Sequence, residues 1–175
     1  MSIDTVTKLP GGAETLEQPS HILIVDEYQS SLMMQHIFAP DYIVTCAHND
    51  QTALHILDNT NVDAVLIDLS TPEINGLRLL EEINKQQPTP ALIMLSSPET
   101  WSQVPQGFRL GAHDYIDKSA QREAALARVE AQLKQRAELV RRNTIIATLE
   151  AKVAALEAEK DAQRRMVRMI THDLK

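Results

Sequence analysis

A chain of 175 residues, 43% hydrophobic and 23% charged, has room for one ordinary soluble domain with an appendage. Its aromatic share of 3% leaves no stacking surface for single-stranded nucleic acid, so packing must rest on aliphatic side chains and nucleic-acid binding is not expected. The formal net charge of -7 is uneven: residues 1–119 hold 5 Lys and Arg against 16 Asp and Glu, and residues 120–175 hold 12 against 8, so an acidic globule suited to a divalent cation or basic partners precedes a basic, solvated tail.

Residues 1–20, with Pro10-Gly11-Gly12 and scattered polar side chains, read as a disordered leader without the apolar centre of a signal peptide. No apolar run approaches the roughly 18 residues a membrane span requires. Cys46 is the single cysteine; no internal disulfide can form, and its neighbours Ile43 and Val44 suit a buried structural thiol in a reducing cytoplasm. From His21 onward short apolar runs alternate with helical patterns. His21–Val25, 42–46, 64–67, 91–95 and 113–116 are expected to be strands, near-continuously apolar because both faces are covered. The alternation predicts a doubly wound α/β domain with a five-stranded parallel sheet.

Every Gly and Pro lies at or before Gly111, so the Ala-, Leu-, Glu-, Lys- and Arg-rich stretch from about Ala120 to Lys175 predicts one continuous helix. Leu139, Ile146, Val153 and Val167 fall at a positions of a heptad and Leu149, Leu156 and Ile170 at d, with Arg142, Lys160 and Gln163 interrupting; the pattern is that of a coiled coil. The upstream set Leu126, Val129, Leu133 and Val140 is out of phase by one residue, which predicts a handover from packing on the sheet to packing on a partner helix. A parallel homodimer is the simplest arrangement.

Polar residues end the apolar strands at their carboxyl ends: Asp26-Glu27 after Val25, Asp68 after Ile67, Ser96-Ser97 after Leu95, and Asp117-Lys118 after Ile116. Ligands of open α/β sheets bind at that edge. Carboxylates converging there repel unless a cation intervenes, and oxygen ligands select a hard ion such as Mg²⁺. His21, His36, His48, His55 and His113 show no metal-ligand spacing.

The strings IVDE (24–27), DLSTPEINGL (68–77), LSS (95–97) and GAHDYIDK (111–118), in that order and spacing, resemble the receiver domains of two-component response regulators over about residues 20–133. The resemblance implies a flavodoxin-like sheet of order 2-1-3-4-5 and assigns Asp68 as the nucleophile that takes a phosphoryl group from a phosphohistidine donor. Asp26, Glu27, Asp68 and the Ser70 backbone carbonyl would hold Mg²⁺, and Lys118 would pair with a phosphoryl oxygen. Ser96 would bind the phosphoryl group on switching and the Tyr115 rotamer would follow. Three features depart from the family pattern: Glu27 stands where a second Asp is usual, Ser119 replaces the Pro that commonly follows the lysine, and Pro98, Pro105 and Gly107 cut into the fourth helix, which should be short, displaced or mobile.

The string MVRMITHDLK (166–175) resembles the opening of the phosphoacceptor helix of histidine kinases, with His172 as the candidate phosphoacceptor. The organisation expected is a leader (1–20), a receiver (21–133), a coiled-coil signalling helix (134–165) and the start of a kinase dimerisation helix (166–175), all part of a longer kinase. The chain holds no Gly-rich nucleotide-binding segment, so these residues would form a phosphoacceptor switch and not an ATP-using enzyme. Two other outputs fit the same residues: a receiver driving, for example, a nucleotide cyclase, and a degenerate receiver serving as a dimer scaffold.

Overall fold

The computed structural model describes residues 19–86 and 88–173, with side chains through Ile170; most of the expected leader lies outside the described residues. Five strands, β1 (His21–Val25), β2 (Ile43–Ala47), β3 (Ala64–Asp68), β4 (Ala91–Ser96) and β5 (Asp114–Asp117), form one sheet of order β2-β1-β3-β4-β5, every neighbouring pair parallel. This is the expected flavodoxin-like topology.

The helices α1 (Tyr28–Phe38), α2 (Asp50–Asn59), α3 (Gly76–Asn84), α4 (Val104–Arg109) and α5 (Arg122–Asp173) cover both faces. Alternation along the three central strands explains why they read as unbroken apolar runs. Leu23, Val25, Val65, Ile67, Leu92 and Met94 face one layer with Ala53 of α2, Leu79, Leu80 and Ile83 of α3, while Ile22, Ile24, Ala64, Leu66, Ile93 and Leu95 face the other with Met34 and Phe38 of α1 and Ala125 and Val129 of α5. Each strand is therefore buried on both sides, as parallel strands require.

Local chemistry sets the helix boundaries. The side chains of Asn49 and Asn75 accept from the backbone N–H of Thr52 and Arg78, satisfying free donors at the starts of α2 and α3. The interrupted fourth helix appears as a 3₁₀ segment, Pro98–Gln103, followed by the six-residue α4. Pro98 and Pro105 each sit in a first turn, where the missing N–H costs nothing. Gly111, at φ +109°, ends this segment and turns the chain into β5.

α5 runs for 52 residues, about 78 Å at roughly 1.5 Å per residue. Its first turns dock on the globule through buried Ala125 and Val129 and half-buried Leu126 and Leu133. Arg136 clamps it to the amino edge of the sheet: Nη1 meets Asp63 Oδ1 at 2.8 Å and Nε donates to the Thr89 carbonyl at 3.2 Å, while Asp63 Oδ2 accepts from the His21 N–H at 2.9 Å. From 137 to 170 every residue is exposed. Val140, placed with the sheet-packing set in the sequence reading, instead lines a cleft of about 210 Å³ with Leu139, Pro88 and Pro90, because the helix has already cleared the sheet at that point.

Arg136→Ala removes a half-buried ion pair and two charge-assisted hydrogen bonds, and is expected to lower the unfolding free energy by about 1–3 kcal/mol in urea denaturation. Arg136→Lys should recover only part, because an ammonium cannot reproduce the fork that reaches both Asp63 and Thr89.

Candidate functional site at the carboxyl edge of the sheet

Asp26 follows β1 directly, and its N–H extends the ladder by donating to the Ala47 carbonyl at 3.1 Å. Asp68 is the last residue of β3, Ser96 the last of β4, and Lys118 follows β5 with its N–H on the Ser96 carbonyl at 2.9 Å. Sheet order thus brings two acids, a hydroxyl and a cation to one edge. Asp26, Asp68 and Ser96 are all 0% exposed.

Lys118 Nζ lies 3.0 Å from Asp26 Oδ2 and 2.8 Å from Asp68 Oδ1. The carboxylates carry further bonds of their own. Asp26 accepts from Ser30 Oγ at 2.6 Å and from the Glu27 N–H at 2.7 Å. Asp68 Oδ1 accepts from the Ser70 N–H at 3.1 Å and Ser70 Oγ at 2.6 Å, and Thr71 Oγ1 donates to Oδ2. Of the two Asp68 oxygens, Oδ2 is thus the less engaged.

The two acids are driven apart in acidity. Burial raises Asp26 above the ordinary 3.8, and the neighbouring Asp68 charge adds to it against the Ser30 and Lys118 hydrogen bonds. Burial also pushes Asp68 upward, but hydrogen bonds from Lys118, Ser70 and Thr71 and the Lys118 charge outweigh it, leaving Asp68 below 3.8. Asp68 is therefore the stronger acid of the two.

Ser96 Oγ is buried with no hydrogen-bond partner among the described residues, a condition it shares there with Asp50 Oδ1. An orphaned hydroxyl costs free energy unless something comes to it, and this one stands at the strand end between Asp68 and Lys118. Tyr115 is half-buried, with Phe108 edge-on at 6.4 Å between ring centres and the Arg128 guanidinium 5.3 Å from its ring centre. Arg128 also meets Asp114 at 2.7 Å, tying β5 to α5.

Glu27 stands apart from this cluster: its side chain is exposed, and only its backbone N–H joins in, on Asp26. Among the described residues no group of three or more His, Cys, Asp or Glu side chains is set for a metal. The donors gathered are the Asp26 and Asp68 carboxylates, hard oxygens whose two negative charges meet one lysine. That set fits Mg²⁺, which keeps several waters and takes one or two carboxylates from a protein. His172 falls within α5, and its side chain lies outside the described residues.

Sequence reasoning passed over three residues that the structure puts to use. Ser30 and Thr71 hold Asp26 and Asp68. Gly76 opens α3 so close to the end of β3 that an added Cβ would sit 2.4 Å from the Asp68 carbonyl oxygen. Thr71 and Gly76 lie inside the DLSTPEINGL string, which carried that signal, whereas Ser30 had none beyond being one helical turn past Asp26.

Three outcomes are expected. In a carboxyl NMR titration Asp26 takes up its proton above the usual carboxylate range and Asp68 below it. The sign for stability follows: ionised Asp68 stabilises the fold above its unfolded value and this is lost as pH falls through its lowered folded pKa, whereas ionised Asp26 costs stability above its raised folded pKa. Asp26→Asn should therefore raise the melting temperature at neutral pH, measured by calorimetry without metal. Gly76→Ala should cost about 1–3 kcal/mol, because backbone and not a flexible side chain must give way.

Comparison with known proteins agrees with this fold. The family model described as response regulator receiver domain matches residues 22–130. The chain is 30% identical over 118 residues to the response regulator ArlR of Staphylococcus haemolyticus, covering 66% of this chain and 53% of that protein, and 35% identical over 102 residues to the regulatory protein AtoC of Escherichia coli, covering 57% and 22%. It spans about half or less of the length of these curated relatives. Among solved structures, a CheY-like response regulator receiver domain protein from Methanospirillum hungatei superposes with a TM-score of 0.63 at 24% identity, over 69% of this chain and 98% of the other. With its fold and its family match in agreement, this chain belongs to the response regulator receiver domains of two-component systems.

Proposed function

We propose that the chain is a phosphoacceptor switch in which Asp68 takes a phosphoryl group from a phosphohistidine donor and the resulting change is passed through α5 to an attached output. The observation that carries this reading is the buried Asp26–Lys118–Asp68 cluster beside the unpartnered Ser96 hydroxyl. Asp68 Oδ2 attacks phosphorus, the bond from phosphorus to the donor imidazole nitrogen breaks, and the imidazole leaves with its electron pair and picks up a proton; an acyl phosphate results. Lys118 pairs with a phosphoryl oxygen, and Ser96 Oγ donates to another.

Asp26, Asp68 and the Ser70 carbonyl are the residues that would hold Mg²⁺, with exposed Glu27 acting through water. Bound there, the ion offsets charge on the transferring phosphoryl oxygens. Tyr115 follows Ser96, and because Arg128 of α5 stacks on its ring, a change of Tyr115 rotamer acts on the helix directly. The HDLK string at 172–175 supports a histidine kinase as the output, and the exposed heptad stripe of α5 supports a homodimeric coiled coil between receiver and output. No helix among the described residues is long and apolar enough to cross a membrane.

A second reading, a scaffold that never accepts phosphate, is favoured by the exposure of Glu27. One experiment separates the two. Incubated with Mg²⁺ and a small-molecule phosphodonor, the chain should gain one phosphoryl group by intact mass, and lose that gain in Asp68→Asn or with a chelator present. Ser96→Ala should still accept phosphate yet lose the accompanying change in Tyr115 fluorescence or NMR shift. A mass gain that persists in Asp68→Asn, or no gain at all, would overturn the phosphoacceptor reading.

A further inference from the structure

The stripe on α5 is chemically specific enough to name its occupant and orientation. Leu139, Ile146, Leu149, Val153, Leu156 and Ile170 are each between 48% and 64% exposed, along roughly 48 Å of helix at about 1.5 Å per residue. So long an apolar seam, clear of the globule from Ile146 onward, needs another helix over it. We propose that the occupant is the same helix of a second copy, parallel and in register, with Lys152 facing Glu157 of the second copy and Glu159 facing its Arg164. The inference builds on the dimeric coiled coil proposed above and fixes what that left open.

The charges beside the seam carry the argument. With a at 139, 146, 153, 160 and 167, the g positions include Lys152 and Glu159 and the e positions include Glu150, Glu157 and Arg164. In a parallel pair each g residue meets the e residue five places on in the other chain. Lys152 then meets Glu157 and Glu159 meets Arg164, and two-fold symmetry repeats both contacts, all of opposite sign.

The competing arrangements each set like charges together. A slip of one heptad puts Lys152 against Arg164 and Glu159 against Glu157. An antiparallel pair centred between Val153 and Leu156 brings e against e and g against g, so the Glu150–Glu157 repulsion cancels the Lys152–Glu159 attraction, whereas in the parallel register every charged g–e contact is attractive. Two of the three polar interruptions fit the parallel arrangement, where Lys160 at an a position lies beside Glu159 of the second copy and Gln163 at d meets its own counterpart, two amides that can exchange hydrogen bonds; the third, Arg142 at d, faces Arg142 of the second copy and weakens the seam there. Such residues weaken a seam while penalising every other register. Two receivers would then sit side by side at one end of the rod.

The test uses the full chain. Light scattering should give a dimer at micromolar concentration, and Val153→Asp should give a monomer that keeps its helix content and still takes up phosphate on Asp68. Glu157→Lys should weaken the dimer about tenfold, and Lys152→Glu added to it should restore the affinity, since exposed pairs are individually modest but two-fold symmetry reverses two of them together. In a Cys46→Ser background, Leu139→Cys should oxidise to a linked dimer by itself. A monomeric wild-type chain would overturn the proposal, whether the stripe is covered by a different protein or not at all. Crosslinking only when Leu139→Cys is mixed with Ile170→Cys would overturn it too, since that requires antiparallel helices. Because phosphate uptake is read separately, a monomer that accepts phosphate ends this proposal and leaves the phosphoacceptor reading standing.

Discussion

The arrangement at the carboxyl edge depends on one ammonium group held between two buried carboxylates. Asp26 and Asp68 stand on neighbouring strands with no exposed surface, and without a cation their repulsion at low dielectric would drive one to protonate or the edge to open. Lys118 supplies that cation from β5, which is separated from β3 by β4. Its long side chain must reach past the end of β4, and in doing so it frames the Ser96 hydroxyl. One contact therefore ties together the ends of β1, β3 and β5 and defines the space in which a phosphoryl group would be recognised.

The same contact explains why acids of one type behave differently. Asp26 keeps the cost of burial, whereas Asp68 collects Ser70, Thr71 and Lys118 and becomes the stronger acid. Two acids of one type are thus driven apart in acidity within a few ångströms, a pattern that clusters at functional sites.

Much of this was legible in the sequence. Strands β1, β3 and β4 announced themselves because burial on both faces leaves unbroken apolar runs, and Asp26, Asp68, Ser96 and Lys118 could be placed at one edge because a parallel sheet puts all its strand ends together. The edge strands were less sharp: β2 and β5 begin one residue later than expected, since their outer residues, such as exposed Ile43, carry a mixed pattern. The proline positions foretold the broken fourth helix. What could not be read was reach and aim. Nothing in the sequence distinguishes a Glu27 pointing to solvent from one turned toward Asp68, and the close approach that requires Gly76 depends on where α3 settles against the strand. Val140 was misplaced by periodicity alone, because heptad phase cannot say where a helix leaves the globule.

The docked base of α5 lies along the sheet and its free part leaves past the amino edge, opposite the acids, after the clamp at Arg136. A rod without Gly or Pro does not absorb motion locally. Beyond 139 it extends roughly 48 Å at about 1.5 Å per residue, so a tilt of about 5° at the base would sweep its far end by about 4 Å. The helix is a lever whose fulcrum is the Asp63–Arg136 pair, and small rearrangements near Tyr115 and Arg128, on the short arm, arrive magnified at whatever lies beyond.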